Sequence, residues 1–218
     1  MTGRDDGGTT PVAIVTGASS GLGRACALRL ARDGFRVALL ARHADQLSEL
    51  EREVERGGGI ALSRPVDLAE AQKAMAAVDG VVGAWGRVDV LVFPHMRRAR
   101  GGTIVNVSSV AGLRGWANAA AYCSSKFALT GFTQSLAAEG RPHGIRACVL
   151  YTGAMATSWG VWDPEERQTG DGKQRSSSDG EAIPADQVAD LVSWIVAAPS
   201  GLVLDQVTVT PLHERGWP

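Results

Sequence analysis

The segment Val12-Ala-Ile-Val-Thr16 is a short apolar run, and Gly17-Ala-Ser-Ser-Gly-Leu-Gly23 follows it at once, with glycines at 17, 21 and 23. Leu22, Cys26 and Leu30 then recur every fourth residue up to Gly34. This is the pattern of a strand, a glycine loop and an amphipathic helix. Few arrangements accept three glycines there. A tight strand-to-helix turn lets backbone amides approach a pyrophosphate, and the helix N-terminus then faces the anion. A turn without any ligand needs glycine too, so the loop gains its weight from context: it lies in the first βα unit, where a dinucleotide-binding fold requires it.

The rest of the chain continues the alternation. Residues 35–40 read as a second buried strand, and 44–56 as a helix with Leu47, Leu50 and Val54 on one face, stopped by Gly57-Gly58-Gly59. A third strand (60–66), a third helix (69–83) and a fourth strand (88–92) follow. Then come a fifth strand (103–107), a long helix (119–138), a sixth strand (146–150), a helix over 184–197 opened by Pro184-Ala185-Asp186, and a last strand (206–209). Strands apolar on both faces and alternating with helices predict an α/β fold, a single Rossmann-like doubly wound parallel sheet with helices on both faces. One nucleotide-binding domain is expected over 1–218, with a flexible tail at 1–10. The polar stretch 158–183 lacks periodicity and reads as a lid over the substrate, or more plainly as a surface insertion.

Composition narrows the partners. The 218 residues are 44% hydrophobic, enough for one core that needs neither disulfides nor a structural metal. Lys and Arg number 22 against 23 Asp and Glu, a net charge of −1, so no basic field exists for nucleic acid. Cys26, Cys123 and Cys148 are widely spaced without a CxxC, which suits a reducing cytosol and small buried hydrophobes. His43, His95, His143 and His213 lack ligand spacing, so no metal is expected. Residues 1–10 are polar and offer neither a leader nor a membrane span, and a cytoplasmic location follows.

Three further positions carry chemistry. The second strand ends in Leu40-Ala41-Arg42-His43, a guanidinium where a ribose-binding carboxylate would select NAD(H). Arg42 suits a 2′-phosphate, so NADP(H) is favoured over NAD(H), the plainer reading being a solvated arginine. Asp67 either accepts from an adenine amino group or caps the third helix. Tyr122 and Lys126 stand four apart on the long helix and share a face, and Ser109 lies just past the fifth strand. A free tyrosine ionises near pH 10, and Lys126 supplies the cation that acid–base work at neutral pH needs. Trp159, Trp162 and Trp194 could line an apolar pocket, although the spacing of Trp194 from Leu191 suits core packing.

Taken together, Thr16-Gly-Ala-Ser-Ser-Gly-Leu-Gly23, Asp67, Val105-Asn-Val-Ser-Ser109, Tyr122-Cys-Ser-Ser-Lys126 and Gly153-Ala-Met-Ala-Thr157 resemble a single-domain short-chain dehydrogenase/reductase, in the family's order. The resemblance implies NAD(P)-dependent interconversion of a small-molecule alcohol and carbonyl. It implies Tyr122 as proton donor or acceptor, Lys126 as ribose ligand and Ser109 as the hydroxyl orienting the substrate. It also implies cofactor contacts from Gly17, Ser19, Ser20, Gly21, Leu22, Gly23, Arg42, Asp67, Tyr122, Lys126 and Thr157, and assembly as a homodimer or homotetramer.

Two departures stand out. Tyr151-Thr152-Gly153 replaces the family's Pro-Gly beneath the nicotinamide. After Val90-Leu-Val92 the family's Asn-Asn-Ala-Gly and the helix bearing a catalytic asparagine are absent; Phe93-Pro-His-Met-Arg-Arg-Ala-Arg-Gly-Gly102 leads straight to Thr103. A crossover between parallel strands takes a dozen or more residues, and roughly forty are missing relative to the family. Either a stretch is omitted between 92 and 93, which the family-like flanks favour, or a true internal deletion leaves an apolar face uncovered. The deletion supports an alternative function, a catalytically impaired dinucleotide-binding sensor or scaffold.

Overall fold

A computed structural model of the chain describes residues 10–90, 96, 101–156 and 182–212. The helices and strands are β1 (Val12–Thr16), α1 (Gly21–Arg32), β2 (Arg36–Ala41), α2 (Ala44–Arg56), β3 (Ile60–Pro65), α3 (Ala71–Trp85), β4 (Gly102–Val107), α4 (Ala120–Gly140), β5 (Ile145–Thr152), β6 (Met155–Ala156), β7 (Ile183–Pro184), α5 (Ala185–Ala197) and β8 (Gln206–Val209). Three parallel strands run β1-β2-β3 and three more β4-β5-β8. Val90 pairs in parallel with both Ala13 and Thr103 and so joins the two sets into one sheet.

Alternate residues of each strand feed opposite cores, as a doubly wound sheet demands. Ala13, Val15, Val37 and Leu39 pack with Leu22, Cys26 and Leu30 of α1, with Leu47, Leu50 and Val54 of α2, and with Val188 and Val192 of α5. Val12, Ile14, Ala38 and Leu40 pack on the other face with Val81 of α3, Met96, Ile104 and Ile145, flanked by Leu136 and Ala137 of α4. Ion pairs link the first layer: Arg24 with Glu53 and Arg29 with Asp190. The guanidinium of Arg146 donates to the carbonyls of Val196 (3.0 Å) and Ala198 (2.8 Å), holding the C-terminal end of α5 with a cation where its last carbonyls gather. All three cysteines are buried, and burial pushes the Cys26 thiol up to about 12 and that of Cys148 up to about 11.

Three places bear on the expectations. The fourth strand is represented among the described residues by the bridge at Val90, and 91–92 lie outside them. Second, Met96, the described residue of 91–100, is helical and fully buried against the face that a deletion would leave bare. Its carbonyl accepts from Gly101 N at 3.3 Å, and a Cβ on Gly102, at φ +154°, would fall 2.7 Å from the Met96 sulfur. Third, Trp194 is 55% exposed and not core, because α5 buries Val188, Ala189, Val192 and Ile195 on the side away from it. Asp89 holds the neighbouring strand position in register, accepting from Val12 N (2.8 Å) and from Arg87 Nε (2.8 Å).

Candidate active site

The carboxyl edge of β1, β2 and β3 carries the first group of expected residues. Gly17 and Gly21 have φ of +63° and +52°. Gly23 packs so closely beneath them that a Cβ there would overlap the Gly17 carbonyl oxygen and lie 2.7 Å from its carbon. Ser20 is the N-cap of α1, makes no side-chain cap hydrogen bond, and is followed by no acidic residue in the first turn. That helix end therefore presents amides and a positive dipole end to an anion, unopposed by any local carboxylate. Leu22 turns its side chain into the core, leaving its backbone to the loop, while Ser19 is half-buried beside it. Ala18 N donates to Leu40 O (3.3 Å) and Val66 N to Ala41 O (2.8 Å), so the glycine loop, Arg42 and Asp67 share one edge. Arg42 is exposed there. Asp67 Oδ1 accepts from Ala69 N at 3.0 Å, an Asx turn just ahead of α3. The helix itself begins two residues later than expected, at Ala71.

The second group sits at the carboxyl edge of β4 and β5. Ser109 is the N-cap of a 3-10 turn, Val110–Gly112, and its Oγ accepts from Ala111 N at 3.2 Å. An accepting hydroxyl keeps its proton free to donate. Tyr122 opens α4 and stays 38% exposed, with the Lys126 ammonium 5.7 Å from its ring centroid. Lys126 is half-buried, donates to Val107 O at 3.4 Å, and desolvation holds its ammonium below the usual lysine range.

Residues that sequence reasoning did not single out fix this geometry. Ser108 Oγ donates to Lys126 O (3.3 Å) and Asn106 Nδ2 to Thr133 Oγ1 (2.9 Å), two pins between β4 and α4. Both lie inside the serine motif, at alternate positions facing α4, which is the signal that could have marked them. Thr152, in the place of the family's proline, donates through Oγ1 to Ser108 O at 3.3 Å, while Gly153 N donates to Val209 O at 2.8 Å. Side-chain and backbone bonds thus hold the turn that a proline ring would stiffen. Ile183–Pro184 pairs in parallel with Met155–Ala156. Thr157, Trp159, Trp162 and the lid proper lie outside the described residues, as do 1–9 and the Val92–Phe93 junction.

A family model described as short chain dehydrogenase matches residues 11–93 and 91–166. The chain belongs to the short-chain dehydrogenase family. It is an oxidoreductase of the alcohol–carbonyl type that uses a nicotinamide dinucleotide, and the uncapped α1 terminus with its Cβ-free cradle fits the pyrophosphate of such a cofactor. A short-chain reductase protein, NovJ of Streptomyces niveus, is 32% identical over 233 aligned positions, covering 87% of this chain and 88% of that protein. A metagenomic short-chain oxidoreductase solved with NADP is 30% identical, with a TM-score of 0.75 over 94% of this chain and 98% of that one. Acetoin dehydrogenase YohF from Salmonella typhimurium is 26% identical, with a TM-score of 0.78 over 92% and 94%.

The comparisons also locate the shortfall of this dehydrogenase chain. Since 87% of its 218 residues is about 190, about 43 of the 233 positions aligned with NovJ have no counterpart in it. The family model is matched in two blocks that meet at 91–93, beside the compressed crossover.

Proposed function

We propose that the protein is an NADP(H)-dependent reductase of a small or medium carbonyl compound, with Ser109, Tyr122 and Lys126 as its working group. The observation that carries this reading is the Lys126 ammonium 5.7 Å from the Tyr122 ring centroid, on a helix that Ser108 and Asn106 pin to the end of β4, where Ser109 follows. A bound nicotinamide cofactor would supply or accept the hydride. Ser109, its Oγ already accepting from Ala111 N, donates to the substrate oxygen and orients the carbonyl. Tyr122 gives its phenolic proton to that oxygen during reduction and takes it back in the reverse direction. Lys126 favours the negative charge left on the phenol and hydrogen-bonds the nicotinamide ribose. Arg42, exposed where β2 ends and with no carboxylate beside it in sequence, binds the 2′-phosphate. Gly17, Ser19, Ser20, Gly21, Leu22 and Gly23 would cradle the pyrophosphate, Asp67 would meet the adenine, and Thr157, outside the described residues, is assigned to the carboxamide.

NADPH oxidation with a panel of carbonyl compounds tests this. Tyr122→Phe is expected to lower kcat by a factor of about 100 or more while NADPH affinity stays within about threefold; an unchanged rate would remove Tyr122 from the chemistry. Arg42→Asp is expected to weaken NADPH by roughly tenfold to a hundredfold relative to NADH.

A second reading takes the shortfall between the two matched blocks as a true internal deletion, giving an impaired dinucleotide-binding sensor or scaffold. Fluorescence-detected NADPH binding without turnover of any carbonyl supports that reading. An intact mass of 22.8 kDa supports the deletion, and a mass several kilodaltons higher sinks it. A cytoplasmic homodimer or homotetramer is the proposed setting. The exposed Phe127 and Phe132 of α4 offer the contact surface, and sedimentation of the purified chain tests it. Among the described residues no helix is long and apolar enough to cross a membrane.

A further inference from the structure

The segment between Ser109 and Tyr122 holds a large side chain that neither the fold nor the proposed chemistry uses. Its two ends are tightly fixed. At the start, Gly112 N donates to Ser109 O (2.8 Å), and Leu113 N and Arg114 N both donate to Val110 O (3.0 and 3.1 Å). A Cβ on Gly112 would lie 2.7 Å from Ser108 Oγ and 2.9 Å from Lys126 O, so the loop leaves from a point pressed against α4. At the end, Asn118 adopts φ +63° and turns the chain into α4. Ala111, Ala119 and Cys123 form a small buried cluster that clasps the two ends together.

Between those anchors residues 113–118 are exposed throughout. Trp116 is 48% exposed, and its ring lies 6.4 Å from that of Tyr122 with the planes inclined at 49°. Leu113 is 40% exposed on the same loop, whose one charged residue is Arg114. Half-exposed indole gains the fold little, since apolar area left in water contributes nothing to burial. Beside a reacting phenol it has a use. One side of the indole meets Tyr122, and the open remainder offers a flat apolar surface at the distance of an aromatic contact.

We propose that Trp116 is a specificity-determining wall of the substrate site, and that it selects a carbonyl carried on a flat aromatic or fused-ring skeleton. This rests on the reading of Tyr122 as the proton donor. A short aliphatic carbonyl reaches Tyr122 but leaves the indole uncovered, whereas a fused ring attached to the carbonyl lies over it and excludes water.

The test compares wild type with Trp116→Ala and Trp116→Phe, using NADPH with 1-tetralone and with butanal. Trp116→Ala is expected to lower the ratio of kcat/KM for the ring ketone to that for butanal about tenfold, mainly through KM, the size of one well-covered aromatic contact. Trp116→Phe is expected to restore that ratio to within about threefold, because a smaller ring keeps the flat face. A ratio unmoved by Trp116→Ala overturns the proposal, as does a loss that Trp116→Phe fails to restore. A second measurement separates this inference from the reductase reading. Calorimetric binding of 2-naphthol, which carries no carbonyl to reduce, should weaken about tenfold in Trp116→Ala. Binding that depends on Trp116 in a protein that reduces nothing sustains the wall and removes the reductase. Turnover of the ring ketone with naphthol binding indifferent to Trp116 does the reverse, and no naphthol binding by wild type overturns the wall.

Discussion

From β1 to β3 each parallel step is made through a full helix, 12 residues in α1 and 13 in α2, and every helix lays an apolar stripe on the sheet. From Val90 to β4 the chain has only residues 91–101. The two halves reach the same parallel geometry, yet they spread the burden differently. In the first half Leu22, Cys26, Leu30, Leu47, Leu50 and Val54 share the cover. In the second, Met96 is the described residue of the shortened step that covers the sheet, set against Gly102 and the Asp89 network. Among the described residues, the packing of the shortened step thus rests on a side chain seated among Val12, Ile14, Ile104 and Ile145.

The largest expected effect tests that concentration. Met96→Ala should destabilise the fold by about 2–5 kcal/mol in urea unfolding, the range for emptying a fully buried site. Gly102→Ala should act in the same direction, since its Cβ would meet the Met96 sulfur at 2.7 Å and Asp89 O at 2.9 Å. Leu50→Ala, equally buried in the first half, serves as the reference. A loss from Met96→Ala below about 1 kcal/mol would show that the second half is covered by something other than Met96.

A smaller effect sharpens the functional side of the comparison. The cradle at β1 belongs wholly to the half with ordinary connections, so its behaviour should be independent of the compressed step. Gly23→Ala forces a Cβ onto the Gly17 carbonyl, and NADPH affinity should fall by roughly 30- to 100-fold, about 2–3 kcal/mol. The variant's unfolding should still respond to Met96→Ala additively, because distant sites with no shared partner couple weakly. Marked non-additivity would join the two halves into one cooperative element.

What could be read from residues alone follows the same division. The first half was legible because its signals are local: a glycine loop next to an apolar run, and leucines at helical spacing before a glycine stop. The order of strands and the doubly wound layering followed from that alternation. The Tyr122–Lys126 pair was legible from i, i+4 spacing, but its pins were not, since Ser108 and Asn106 meet α4 through contacts about 20 to 30 positions apart in sequence. Met96 was missed because burial of a lone methionine after an interrupted strand has no periodic signature. Trp194 was misplaced for the opposite reason. It shares a spacing with Leu191, yet the stripe that faces the sheet runs through Val188, Val192 and Ile195. Trp116 gave no signal at all, because exposure beside Tyr122 depends on how a six-residue loop turns at Asn118.

The smallest effect concerns where each half keeps its positive charge. Arg42 sits in water at the end of β2, whereas Lys126 is half-buried under the Tyr122 ring, and desolvation lowers the pKa of its ammonium. Its unfolded counterpart titrates at the ordinary lysine value. Between the lowered value and the ordinary one the unfolded chain binds more protons, so Lys126 makes stability rise with pH across that window. Below the window the fold carries a charged lysine at a constant disadvantage. Lys126→Met removes that disadvantage while leaving an apolar stem of similar length. Its melting temperature at pH 7 should exceed that of wild type by about 2 °C, and the gain should shrink as pH climbs towards the ordinary lysine value, where wild-type Lys126 becomes neutral in the fold. The same variant should lose carbonyl reduction, because the phenol no longer has a cation beside it. Arg42→Met, with its charge already in water, should leave the melting temperature unchanged at both ends of the range. A Lys126→Met protein that melts below wild type at pH 7 would show that the bond to Val107 O and the contact with Tyr122 outweigh burial.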